Sequence, residues 1–207
     1  MSGGDGSAGG GVKALRAFPV AAVIVGAGAG RRFGLPKALA QLPDGRRFVD
    51  VITDLLGTAG LDPIVAVLPS GVSAPTSARA VVNPNPSSEQ IASLRIGLAQ
   101  LTNSPVIGAV VWPVDHPFVR LESVLALLDG ARRSGAHIVI PTHDGRRGHP
   151  TFFHREIWRA LMTVQRGGAR AVIHAAHQSV AEIAVPDGGV LRGINVPADL
   201  DDASALG

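Results

Sequence analysis

The chain has 207 residues, 46% of them hydrophobic and 17% charged, with a formal net charge of +3 and no cysteine. That length supports one substantial core, and the missing cysteines exclude disulfides and thiolate metal sites. Scarce aromatics and basic residues scattered in ones and twos argue against a base-stacking platform or an extended nucleic-acid surface. No apolar run approaches the roughly 18 residues expected of a membrane span.

The opening stretch "MSGGDGSAGGGVKALRA" lacks the uninterrupted apolar core of a secretory signal. Its Gly/Ser content predicts a flexible tail over 1–17, followed by a single domain over 18–207 and a cytoplasmic location.

In chain order, "VAAVIV" (20–25) reads as a buried strand ended by glycine. "VDVITDLLGTAG" (49–60) reads as a helix closed by Gly57 or Gly60, and "PIVAVLP" (63–69) as a second strand. "SSEQIASLRIGLAQL" (87–101) opens with Ser87 and Gln90 in capping-box spacing, with Ile91, Leu94, Leu98 and Leu101 on one helical face. "VIGAVVWPVD" (106–115) is a third strand ending on an acid. Leu121, Val124, Leu125 and Leu128 form the stripe of the next helix, and "AHIVIP" (136–141) is a fourth strand. "TFFHREIWRALMTV" (151–164) runs from strand into helix, and "GGARAVIHAAH" (167–177) is helical. "SVAEIAVP" (179–186) is a strand, and "PADLDDASAL" (197–206) a short helix from Pro197. Buried strands interleaved with helices predict an α/β fold. It is a Rossmann-like three-layer α/β/α sandwich on a mostly parallel sheet, with its ligand crevice at the carboxyl ends of the strands.

"VGAGAGRRFGLPKALA" (25–40) follows the first strand and carries the glycines and cations of a phosphate loop. The dinucleotide pattern G-x-G-x-x-G fails, because its third glycine falls on Arg31 or Phe33, and "VLPSG" stands where the ribose-binding acid belongs. The Walker pattern fails because Lys37 sits three residues past Gly34 and precedes Ala38. What remains is Gly28, Gly30, Arg32, Gly34 and Lys37 in the frame G-x-G-x-R-x-G-x-x-K. Glycines admit close backbone approach to phosphate oxygens, while Arg32 offers a planar fork and Lys37 a point charge. Such a cradle suits a triphosphate attacked at its α-phosphorus. Asp115, at a strand end, is the candidate ligand for the magnesium ion this chemistry favours.

The chain resembles the MobA-like nucleotidyltransferases, and most closely the molybdenum cofactor cytidylyltransferases, in several ordered motifs. These are the glycine loop, "VVNPNPSSEQIASLRIGL", "WPVDHPFV", "GRRGHPTFF", "GGARAVI" and "LRGINVPADL". The resemblance implies a nucleotide-diphospho-sugar transferase type of fold and transfer of CMP from CTP to the phosphate of molybdopterin, with release of pyrophosphate. It implies Asn195 as the second metal ligand and Ala27, Asn83 and Ser93 as nucleotide contacts. Ala27 leans towards cytosine, since the cytidylyl branch resembles "AAG" here and the guanylyl branch tends to "GG". His149 and the Arg146-Arg147 pair are implied contacts for the acceptor. A transient contact with a molybdoenzyme or its chaperone is also implied. Asp199 matches a family acid but equally suits the exposed first turn of the last helix, and it is left out of the site.

Two positions depart from the family pattern: Glu89, where a glycine is usual, and His116, where glutamine or methionine is commoner. The alternatives are guanylyl or other nucleotidyl transfer to a different phosphorylated acceptor, and a non-catalytic nucleotide- or cofactor-binding chaperone module. His174 and His177 stand three apart with His154 nearby in sequence, but no third ligand follows a zinc pattern.

Overall fold

The computed structural model describes residues 18–28, 30, 33–85 and 89–201. The expected tail, Arg32, Ser87 and positions 202–207 lie outside them. The strands are β1 (Val20–Val25), β2 (Ile64–Leu68), β3 (Arg79–Val82), β4 (Gly108–Pro113), β5 (Ile138–His143), β6 (Arg146–Arg147), β7 (Thr151–His154) and β8 (Val180–Ala184). The helices are α1 (Phe48–Thr58), α2 (Gln90–Ala99), α3 (Leu121–Ser134), α4 (Trp158–Thr163), α5 (Gly168–Ala175) and α6 (Ala198–Asp201).

The strands form one sheet in the order β3-β2-β1-β4-β7-β5, with β8 on the outer edge of β5. Pairs among β3, β2, β1 and β4 are parallel, as is β5 with β8. β7 runs antiparallel between β4 and β5, and the short β6 is antiparallel to β5.

All six β1 residues are buried because both faces of the sheet are covered. Ala22 and Ile24 pack with Phe48, Ile52 and Leu56 of α1 and Val124 and Leu127 of α3. Ala21, Val23 and Val25 face the other way, onto Leu94 and Leu98 of α2, Leu161 of α4 and Val172 of α5. The period-2 alternation of a strand thus builds the expected three layers. Gly97 is what lets α2 sit so close to β1, since a Cβ there would overlap the Val23 side chain.

Several local expectations need adjusting. Of the two possible stops for α1, Gly60 is the one that closes it: it adopts φ +82°, and the Leu61 N–H returns to Leu56 O at 3.1 Å. α2 begins at Gln90 after Glu89, whose side chain makes no capping hydrogen bond. On α3 the buried stripe is Val124, Leu127, Leu128 and Ala131, at strict helical spacing, while Leu125 is turned outward. The N-terminus of α3 is capped from outside. Buried Asp187 accepts from Arg120 N at 2.9 Å, Ser123 Oγ at 2.7 Å and Gly189 N at 2.9 Å. Among the described residues, no helix is long and apolar enough to cross a membrane.

Candidate active site

The loop after β1 uses its glycines for different purposes. Gly26 is a packing residue, because a Cβ there would press on Leu68 and Val114 at 3.3 Å. Gly28 faces open space: among the described residues beyond its chain neighbours, no atom lies within 4 Å of where its Cβ would stand. At Gly30 the chain turns with φ +59°, and a Cβ would overlap the Leu35 carbonyl. Its own carbonyl accepts from Phe33 N and Gly34 N at 2.8 and 3.0 Å, closing a turn that only glycine fits. The chain then enters the 3-10 turn Lys37–Leu39, with Ala38 buried beneath it.

That turn delivers Lys37 to the carboxyl end of β4. Its Nζ donates to Asp115 Oδ2 at 3.0 Å and to Asn195 Oδ1 at 2.8 Å. Asp115 is set by its surroundings: Ile194 N donates to its carbonyl at 2.7 Å, which docks the Asn195 segment alongside. Trp112 Nε1 donates to His116 O at 3.0 Å and steadies the same bend. His116 Nδ1 lies 3.0 Å from Asp115 Oδ1, so Oδ2 is the oxygen left to Lys37. Burial alone would raise the Asp115 carboxyl, but the hydrogen bond and charge of His116 and the charge of Lys37 outweigh it and hold the group at about 2.

Asp199 has a part that the sequence reading left out. Its Oδ2 accepts from Asn195 N at 2.6 Å and Val196 N at 3.0 Å, and these backbone bonds lower its carboxyl from the usual range. The Asn195 amide meanwhile donates from Nδ2 to Gly193 O at 3.2 Å, which turns Oδ1 towards Lys37. A carboxylate oxygen and an amide oxygen therefore converge on one cationic point. This donor pair suits a hard divalent ion that takes few protein oxygens and keeps several waters.

Two cavities meet at Val25 and Gln90. The smaller, about 190 Å³, is lined by Ala27, Gly28, Gly30, Lys37, Ser93 and Asp115. The larger, about 550 Å³, has an apolar floor that includes Val111, Ile140 and Phe153, with Arg147, His149 and Arg170 on its polar side. Asn83 lines neither cavity. It is buried, and its Nδ2 donates to Ser93 Oγ at 3.0 Å while its Oδ1 accepts from Asn85 N, so it supports Ser93 from behind. His149 stands edge-on to His116, with ring centroids 4.7 Å apart. Its buried Nδ1 has no hydrogen-bond partner among the described residues. Burial, then the charge of His116, pushes the His149 imidazole down to about 4.

The exposed Glu89 lies at the larger cavity rather than the smaller. Arg147 is held by Glu182 at 2.8 Å. Arg32 lies outside the described residues. His174 and His177 are exposed, and His154 stacks on His137 instead of joining them.

Residues 22–180 match the family model of the MobA-like NTP transferase domain. A probable molybdenum cofactor guanylyltransferase from Rhodopirellula baltica is 28% identical over 194 residues, covering 88% of this chain and 90% of that protein. Among solved structures, Rv0371c from Mycobacterium tuberculosis superposes with a TM-score of 0.77 at 24% identity, covering 89% of this chain and 96% of that one. Rv0371c has also been solved in complex with manganese. The 2-C-methyl-D-erythritol 4-phosphate cytidylyltransferase from Thermus thermophilus follows with a TM-score of 0.70 at 19% identity, over 91% and 98% of the two chains. These likenesses place the sheet in the nucleotide-diphospho-sugar transferase fold. With the family model matched over most of its length, the chain belongs to the MobA-like NTP transferases, a family of nucleotidyltransferases.

Proposed function

We propose that the protein transfers CMP from CTP to the terminal phosphate of a molybdopterin-type acceptor. The observation that carries this reading is the convergence of Lys37, Asp115 and Asn195 beside a glycine loop that opens into a cavity. An acceptor phosphate oxygen attacks the α-phosphorus, the bond from that phosphorus to the bridging oxygen breaks, and pyrophosphate leaves. Charge grows on the equatorial and leaving oxygens, so catalysis is mainly positioning and neutralisation. Lys37 supplies one positive charge, Arg32 a second, and backbone N–H groups at Gly28 and Gly30 the cradle. Asp115 and Asn195 would hold one Mg²⁺, which supplies further neutralisation of the phosphates when bound. Ser93, supported by Asn83, and Ala27 contact the nucleotide. The larger cavity takes the acceptor, its apolar floor under the pterin and neutral His149 available to its polar atoms.

Ala27 lines the smaller cavity, and the resemblance to the "AAG" of the cytidylyl branch is what leans the reading towards cytosine. Guanylyl transfer is the second reading, supported by the Rhodopirellula baltica relative. The non-catalytic alternative loses ground because Lys37 and Asp115 are both present and paired.

The test is pyrophosphate release with molybdopterin, Mg²⁺ and each nucleoside triphosphate in turn. CTP-dependent release supports the proposal, release with GTP instead supports the second reading, and no release with any triphosphate refutes nucleotidyl transfer to this acceptor. In Ala27→Gly the CTP:GTP rate ratio should fall about tenfold, the scale of one methyl group in a pocket.

A further inference from the structure

We propose that His137, His154 and Glu156 form a second metal site, for a transition-metal ion of the zinc class, at the end of the sheet opposite the nucleotide crevice. His137 immediately precedes β5, and His154 ends β7. The antiparallel register that pairs Ile138 with Phe153 sets these two histidines side by side, and His154 N donates to His137 O at 2.8 Å. Their rings stack with centroids 5.6 Å apart and planes 19° apart. The 3-10 turn Arg155–Ile157 then swings Glu156 back, so that its Oε2 lies 3.0 Å from His137 Nε2. One donor atom from each residue lies within 4.8 Å of the other two, and no other such trio of His or acidic groups occurs among the described residues.

The donor chemistry selects the ion. Two imidazole nitrogens and a carboxylate form a set that zinc accepts while leaving a fourth position for water. Imidazole favours zinc, nickel and copper over magnesium, whose preference is for oxygen. Bonds of about 2.0–2.1 Å bring donors to roughly 3.3 Å from one another, a contraction within reach of small side-chain rotations at this partly exposed position. The His154 Nδ1 contact with Glu156 N is long, at 3.3 Å, and yields readily to a metal bond.

The backbone under the site is firmly held. Arg155, between the two ligands, donates to Ser104 O at 2.7 Å, Val106 O at 3.2 Å and Thr102 O, and lies 5.2 Å over the Trp158 ring. His154 pairs with Gly108, the first residue of β4, whereas Asp115 lies beyond that strand's other end. The proposed ion is thus separate from the one at Asp115 and acts as a clamp on the β5–β7 seam.

The test is a Zn²⁺ titration of the full chain, stripped with chelator, against a chromophoric zinc chelator, with Mg²⁺ as the control ion. One equivalent of Zn²⁺ is expected to bind, raising the melting temperature. His137→Ala and His154→Ala should each weaken binding tenfold or more, while His174→Ala should not. Glu156→Gln, at an exposed position, is the variant that keeps its fold, and it should lose most of the zinc-dependent melting shift. A full equivalent persisting in the His137→Ala/His154→Ala double variant would place the ion elsewhere and overturn the proposal. So would absence of Zn²⁺ binding to the unsubstituted chain, which would reduce the trio to a histidine–carboxylate ion pair.

Discussion

The Lys37 ammonium lies 3.0 Å from Asp115 Oδ2 although 78 residues separate them in sequence. The same Nζ reaches Asn195, so one cation joins the loop after β1, the end of β4 and the segment before α6. Replacing Lys37 by Ala should lower kcat/KM for nucleotidyl transfer by about 10²–10³, the cost of one lost charge-stabilising donor. The melting temperature should stay close to that of the unsubstituted protein, and a variant with unchanged turnover would remove Lys37 from the chemistry. Lys37→Arg should not restore the rate, because a longer, planar guanidinium does not place its charge on the phosphates where a compact ammonium does.

Asp199 reaches the site through backbone amides, so its loss should act on metal affinity. In Asp199→Ala the Asn195 segment is released from two hydrogen bonds. The Mg²⁺ concentration giving half-maximal activity should rise roughly tenfold, on the scale seen when a metal ligand loses its supporting contact. Most of the rate should return at saturating metal. Superimposable metal titrations would show that Asn195 needs no such support.

Asp187 is a stability residue rather than a chemical one. It is 4% exposed and takes three donors that include the N-terminus of α3. Asp187→Ala leaves the buried Ser123 hydroxyl and two partly buried backbone N–H groups without this partner and should cost about 2–4 kcal/mol in urea unfolding. Ser123→Ala removes one donor and should cost about 1 kcal/mol. Equal losses in the two variants would mean that the aspartate's other two bonds contribute nothing.

His149 predicts a pH dependence of stability. Its folded value of about 4 lies below the usual 6.5, so between those values the unfolded chain binds the extra proton. Stability therefore falls as pH drops through the window from about 6.5 to about 4, by roughly 2–3 kcal/mol for a shift of this size. His149→Asn should flatten that part of the curve, measured as urea midpoints at pH 7, 5.5 and 4.5. An unchanged slope would place the responsible group elsewhere.

Much of the fold was legible in the sequence, because strands such as β1 and β4 are continuous apolar runs and α3 repeats its apolar positions at helical spacing. Burial imposes those patterns locally, residue by residue. β3 and β6 were not legible: four and two residues with largely exposed side chains leave no periodic trace. Nor does a short run such as "TFFH" carry any sign of direction, which only its neighbours β4 and β5 decide.

The site divides in the same way. From the sequence alone came the phosphate-loop frame that ends at Lys37, the acid at the end of β4, and the family resemblance that singled out Asn195, Ser93 and His149. Their types and spacing along the chain carry the proposed chemistry. What the tertiary structure decided is which atoms meet: Lys37 between Asp115 and Asn195, Asp199 beneath Asn195, Asn83 behind Ser93, and His137 beside His154 and Glu156. These contacts arise from sheet register and from backbone hydrogen bonds between distant segments, and no local periodicity encodes either.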